Sequence, residues 1–84
     1  MTYRAFIGDW CGANEEPDYV IIDKEGLSWS DAVKELETFL HQFATDECDE
    51  CRQCAVEGIV HLTHMEPGPF GIAVNGDKYM IIPE

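Results

Sequence analysis

The stretch FGIAVNGDKYMIIP, residues 70–83, decides the fold. Asn75-Gly76 is the preferred pair for a two-residue type I′ turn, whose two central residues both need positive φ, and it sits between two alternating apolar runs. Such a turn fixes the register, with Val74 opposite Asp77, Ile72 opposite Tyr79 and Phe70 opposite Ile81. One face of the hairpin then carries Phe70, Ile72, Val74, Tyr79 and Ile81, a floor on which helices can pack.

Upstream, LSWSDAVKELETFLHQF (27–43) is the clearest helix. Ser28 or Ser30 is its N-cap and Asp31 lies in its first turn. Trp29, Ala32, Val33, Leu36, Phe39, Leu40 and Phe43 recur at helical spacing and form the buried stripe. Asp31 and Glu35 fall four apart on the outer side, near Lys34 and Glu37. Thr45 is placed to cap a second helix starting at Asp46, with Asp46, Glu47, Asp49 and Glu50 in the first turns, where acids complement the helix dipole. Gly58 can end this helix and release IVHLTHM as a strand, or the helix can run to Met65 before EPGP breaks it. Ile59 and Leu62 continue its apolar stripe and favour the longer helix.

At the other end, TYRAFIGDW (2–10) is a strand with Tyr3, Ala5 and Ile7 on one face and Arg4 and Phe6 on the other. YVIID (19–23) is a second, and CGANEEPD (11–18) is the loop between them. The order is therefore ββααββ, an α+β domain over residues 1–84 with an antiparallel sheet of about four strands and two helices packed on one face. The order of strands in the sheet stays open.

This order, with the CDEC opening of the second helix and the VNGDKYMIIP ending, resembles that of small uncharacterised proteins of actinobacterial phages. The resemblance implies no functional residues, so none are carried over.

Seventeen acids against five bases give the 84-residue chain a formal charge of −12. The bases Arg4, Lys24, Lys34, Arg52 and Lys78 are scattered singly. Such a chain is repelled by nucleic acid and by anionic membranes, where affinity comes from lysine and arginine, and its field steers it toward a basic partner. The same charge also serves plain solubility. No apolar run approaches the roughly 20 residues of a membrane helix, and MTYRAFIGDW lacks the basic flank and apolar core of a secretion signal. A cytoplasmic location is expected, where thiols stay reduced.

The second helix carries DECDECRQC, residues 46–54. At about 100° per residue, Cys48 and Cys51 share the sector of Ala55, Ile59 and Leu62, while Cys54 falls on the flank in line with His61. Three cysteines spread over about 120° of a regular helix do not converge on one tetrahedral ion. Three readings remain open. The cysteines are small apolar core residues, or Cys48, Cys51, Cys54 and His61 hold zinc, which needs the helix to unwind or Cys11, His61 or His64 to supply what is missing, or a regulated or intermolecular disulfide forms. A thioredoxin-like pair is opposed by the surrounding acids, which disfavour a thiolate.

His41, His61 and His64 come without an oxyanion loop or nucleophile elbow, and no phosphate-binding glycine loop is present. The expectation is a non-enzymatic module with no cofactor. Asp31, Glu35, Asp46, Glu47, Asp49, Glu50 and Glu57 would stand in for nucleic-acid phosphates on a basic host protein, with Trp10 as an aromatic anchor. The competing expectations are a small zinc-stabilised adaptor and a structural accessory protein with no inhibitory role.

Overall fold

The computed structural model describes residues 1–9 and 19–84. The expected anchor Trp10, and Cys11 with it, lie outside the described residues. The elements are β1 (Tyr3–Asp9), β2 (Tyr19–Leu27), α1 (Trp29–Phe43), α2 (Asp49–His64), β3 (Phe70–Val74) and β4 (Asp77–Pro83). The fold is α+β in the order ββααββ, with an antiparallel sheet ordered β2-β1-β4-β3.

The last hairpin has the register that its turn dictates, with Val74 on Asp77, Ile72 on Tyr79 and Phe70 on Ile81. Asn75 and Gly76 take φ of 53° and 85°, as a type I′ turn requires. β1 then pairs with β4 as well as with β2, which places Tyr3 opposite Pro83 and Ile7 opposite Tyr79. The first and last strands are thereby tied together, and the Glu84 backbone N–H donates to the Thr2 carbonyl at 2.9 Å.

Strands β1 and β4 are central, and their helix-facing residues Ala5, Ile7, Tyr79 and Ile81 are fully buried. Helix α1 lies over β1 and β4 and contributes Ala32, Leu36 and Leu40, whereas α2 lies over β3 and contributes Ala55 and Leu62. Each fully buried Leu or Ile stabilises the fold by about 1.5–3 kcal/mol. Trp29 packs edge-on against Tyr3 with ring centroids 5.3 Å apart, and Phe43 packs edge-on against Tyr79 at 6.1 Å. The two aromatic pairs pin the two ends of α1 to the sheet.

The ends of the helices follow local chemistry. Ser28 is the N-cap of α1, its Oγ accepting the Asp31 N–H at 3.2 Å. Helix α2 continues through Gly58 to His64, so the longer of its two readings holds and IVHLTHM is not a strand. Its start differs from the sequence expectation. α2 begins at Asp49 with Cys48 as N-cap, because Asp46 is drawn into the preceding turn: its N–H donates to the Phe43 carbonyl and its carboxylate accepts the Cys48 N–H at 2.8 Å. That side-chain bond offers the backbone a turn in place of a first helical residue. Thr45 is therefore not the cap, and Asp46 and Glu47 precede the helix. β2 is also longer than YVIID, running to Leu27 with mostly exposed side chains.

On the face away from the helices Phe6 is nonetheless 1% exposed. The Arg4 guanidinium lies 5.7 Å from its ring centroid and is held there by paired bonds of 2.7 Å to both Asp23 oxygens. An amphipathic arginine thus roofs an aromatic ring on the open side of the sheet.

Candidate functional site

The carboxylates that the sequence singles out separate into two groups. Asp31 and Glu35 sit four apart near the start of α1, and Glu35 is bound to Lys24 of β2 at 2.9 Å. This pair faces the β2 edge. Asp46, Glu47, Asp49, Glu50 and Glu57 belong to the α1–α2 connection and to α2, which lies over β3 at the opposite edge. At 1.5 Å per residue, Asp31 and the end of α1 are about 20 Å apart along the axis. The two groups do not merge into one row.

Within the second group the carboxylates diverge again. Asp49 and Glu57 line one groove of about 530 Å³ together with Ala44, Arg52, Gln53 and Val56. Arg52 binds Asp49 and Gln53 donates to Glu57, so these acids are held in place along the helix surface. Glu50 lines a different depression, of about 400 Å³, with Cys48, Cys51, Cys54, Ala73, Asn75 and Gly76. The hairpin turn beside the cysteines was not foreseeable from local sequence, since only the packing of α2 on β3 brings together positions 21 to 28 apart in the chain.

Two further residues escape the sequence reading. Val56 and Val60 are 45% and 52% exposed and lie four apart on α2, beside Gln53 and Glu57. Residues at this spacing share a helix face. The signal was present as β-branched side chains outside the buried stripe, but a hydrophobic residue on a small domain is normally assigned to its core.

The three described cysteines are free. Cys48 is exposed at the N-cap and not on the buried stripe, contrary to the helical-wheel expectation, because the helix starts three residues later than its acids suggested. Cys51 and Cys54 are half-buried against the core. The neighbouring Cys48, then burial and the charges of Asp46 and Cys54, raise the pKa of the Cys51 thiol above the ordinary 9.0. Among the described residues no three His, Cys, Asp or Glu side chains are grouped as metal ligands. His61, the expected fourth ligand, is exposed on α2, as are His41 on α1 and His64 at the end of α2.

Two clusters outside the acidic helices are charged as well. Asp23 is held below its ordinary 3.8 by its bonds to Arg4. Asp77 is raised above 3.8 by burial and then by Asp9, and burial followed by Asp77 pushes the Tyr79 phenol up to about 12. These groups brace the sheet, and none of them lines either of the two depressions along α2.

The chain matches no protein-family model, no curated protein and no solved structure. No helix of the described residues is long and apolar enough to cross a membrane.

Proposed function

We propose that the chain is a non-enzymatic, acidic protein-binding module that docks on a basic surface of a partner protein, of the kind a phage encodes against a host nucleic-acid-binding or defence protein. The docking face is the outer side of α2 with the α1–α2 connection. The observation that carries this reading is the exposure of Val56 and Val60 beside Glu57, with Asp49 one groove-length away. Charge placed for solubility alone needs no apolar strip among the carboxylates. An interface does, since its contact centre is apolar and its rim polar.

Asp46, Glu47, Asp49, Glu50 and Glu57 form the rim and supply the steering field, in keeping with a net charge of −12. A rise of about 3.4 Å per base pair makes the roughly 24 Å of α2 equivalent to about seven base pairs of phosphate positions, short enough for a single basic groove. Asp31 and Glu35 lie toward the other edge and contribute long-range attraction. The partner site is thus one that a short duplex segment also occupies.

The test compares wild type with two variants in capture from a bacterial lysate at low salt, followed by mass spectrometry. Val56→Ser/Val60→Ser alters only exposed side chains, and Asp49→Asn/Glu50→Gln/Glu57→Gln removes rim charge. The expected result is one or a few basic proteins retained by wild type and lost with both variants. Retention of the same proteins by both variants would refute the docking face.

A further inference from the structure

Beyond docking, and independent of it, we propose that Cys48 and Cys51 are an oxidisable dithiol: a site where the chain closes an intramolecular disulfide by exchange with a low-molecular-weight disulfide. Two observations converge on it. Cys48 is the N-cap of α2, exposed, with extended backbone at φ −74° and ψ 115°, and Cys51 follows three residues later in the first turn. Both thiols open onto the depression of about 400 Å³ bounded by Glu50, Ala73, Asn75 and Gly76, which gives a small disulfide room to approach.

The spacing suits the bond. Residues three apart within a regular helix hold their Cβ atoms about 5–6 Å apart, somewhat more than the roughly 3.8 Å of a disulfide. Cys48 accepts the first helical bond, from the Arg52 N–H at 3.0 Å, but its own backbone is extended, so rotation of its side chain with a small local shift closes the distance at Cys48. Cys54, a further turn on, is fixed in the helix at both ends and lacks this freedom.

The chemistry balances with the disulfide as oxidant. The Cys48 thiolate, the more accessible of the two, attacks one sulfur of RSSR, forms a mixed disulfide and expels RS⁻, which takes up the proton that Cys48 lost. Cys51, deprotonated to its thiolate, then attacks the Cys48 sulfur, forms the Cys48–Cys51 bond and expels a second RS⁻, which is protonated in turn. Two protein thiols are oxidised and one RSSR is reduced to two RSH.

The experiment incubates the reduced, folded protein with oxidised glutathione near pH 8 and follows intact mass and disulfide-mapped peptides. Wild type is expected to lose the mass of two hydrogens, with the link mapped between Cys48 and Cys51, and to regain it with dithiothreitol. Cys51→Ser is expected to stop at a glutathione adduct on Cys48, while Cys54→Ser and Cys11→Ser close as wild type does. Circular dichroism confirms that each variant is folded. Closure through Cys54 or Cys11, a wild type that stops at the glutathione adduct, or a folded wild type left unoxidised while the urea-unfolded chain closes would each overturn the proposal.

Discussion

The phenol of Tyr19 donates a hydrogen bond to the carboxylate of Asp77, joining the first residue of β2 to the first residue of β4. The bond lies at the end of the sheet where Tyr19 of β2 pairs with Asp9 of β1. Asp77 is 9% exposed and also feels Asp9, which together raise its pKa.

A carboxyl that binds its proton more tightly folded than unfolded opposes folding when ionised. Its cost is present at neutral pH and vanishes as pH falls through the raised folded value. Asp77→Asn keeps an acceptor for Tyr19 and removes the charge, so its melting temperature is expected to equal or exceed that of wild type at pH 7. The difference should shrink toward pH 4. A variant clearly less stable than wild type at pH 7 would show that the ionised carboxylate contributes to folding.

Cys48 supplies no side-chain cap to α2. Serine is among the best cap residues and accepts a backbone N–H of the first turn, so Cys48→Ser is expected to stabilise the fold by about 0.5–1 kcal/mol in urea denaturation. Cys48→Ala should show no such gain, which separates capping from the mere loss of a thiol.

Gly58 lies where α2 meets β3, and a Cβ there would sit 2.9 Å from Cδ1 of Ile72 and 3.4 Å from Cδ1 of Leu40. Alanine gains about 1 kcal/mol of helix propensity over glycine but must push the end of a flexible isoleucine aside. Gly58→Ala is expected to fall within about 1 kcal/mol of wild type. Introduced into Ile72→Val, which removes the obstructing Cδ1, the same change should be stabilising. A double-mutant cycle with no coupling between positions 58 and 72 would refute this contact.

Uncompensated negative charge destabilises the compact state by self-repulsion, and salt screens it over a Debye length of about 10 Å at 0.1 M. With −12 on 84 residues, the melting temperature is expected to rise between about 10 mM and about 500 mM sodium chloride. A flat or falling curve would mean that the pairs Arg4–Asp23, Lys24–Glu35 and Arg52–Asp49 outweigh the repulsion.

The fold was legible wherever one local rule had no competitor. Asn75-Gly76 admits essentially one turn, and α1 carries an unbroken stripe from Trp29 to Phe43 with a serine at its head. The start of α2 was not legible, because Thr45, Asp46 and Glu47 all look like helix-opening residues and only the bond from the Cys48 N–H to Asp46 decides between cap and turn. Strand order was hidden for a different reason: nothing local in β1 says that its second neighbour is β4. The acidic residues were visible as residues but not as a surface. Their division between the β2 edge and α2 follows from where the helices sit on the sheet, and the exposure of Val56 and Val60 follows from which face of α2 meets β3.

The most direct measurement takes the basic protein retained in the capture experiment and titrates it with labelled duplex DNA in the presence of this chain. Mutually exclusive binding is expected, with affinity for the chain falling steeply as salt rises and at least tenfold weaker for Asp49→Asn/Glu50→Gln/Glu57→Gln. A ternary complex of partner, duplex and chain, with affinity indifferent to salt and to those three carboxylates, would contradict it.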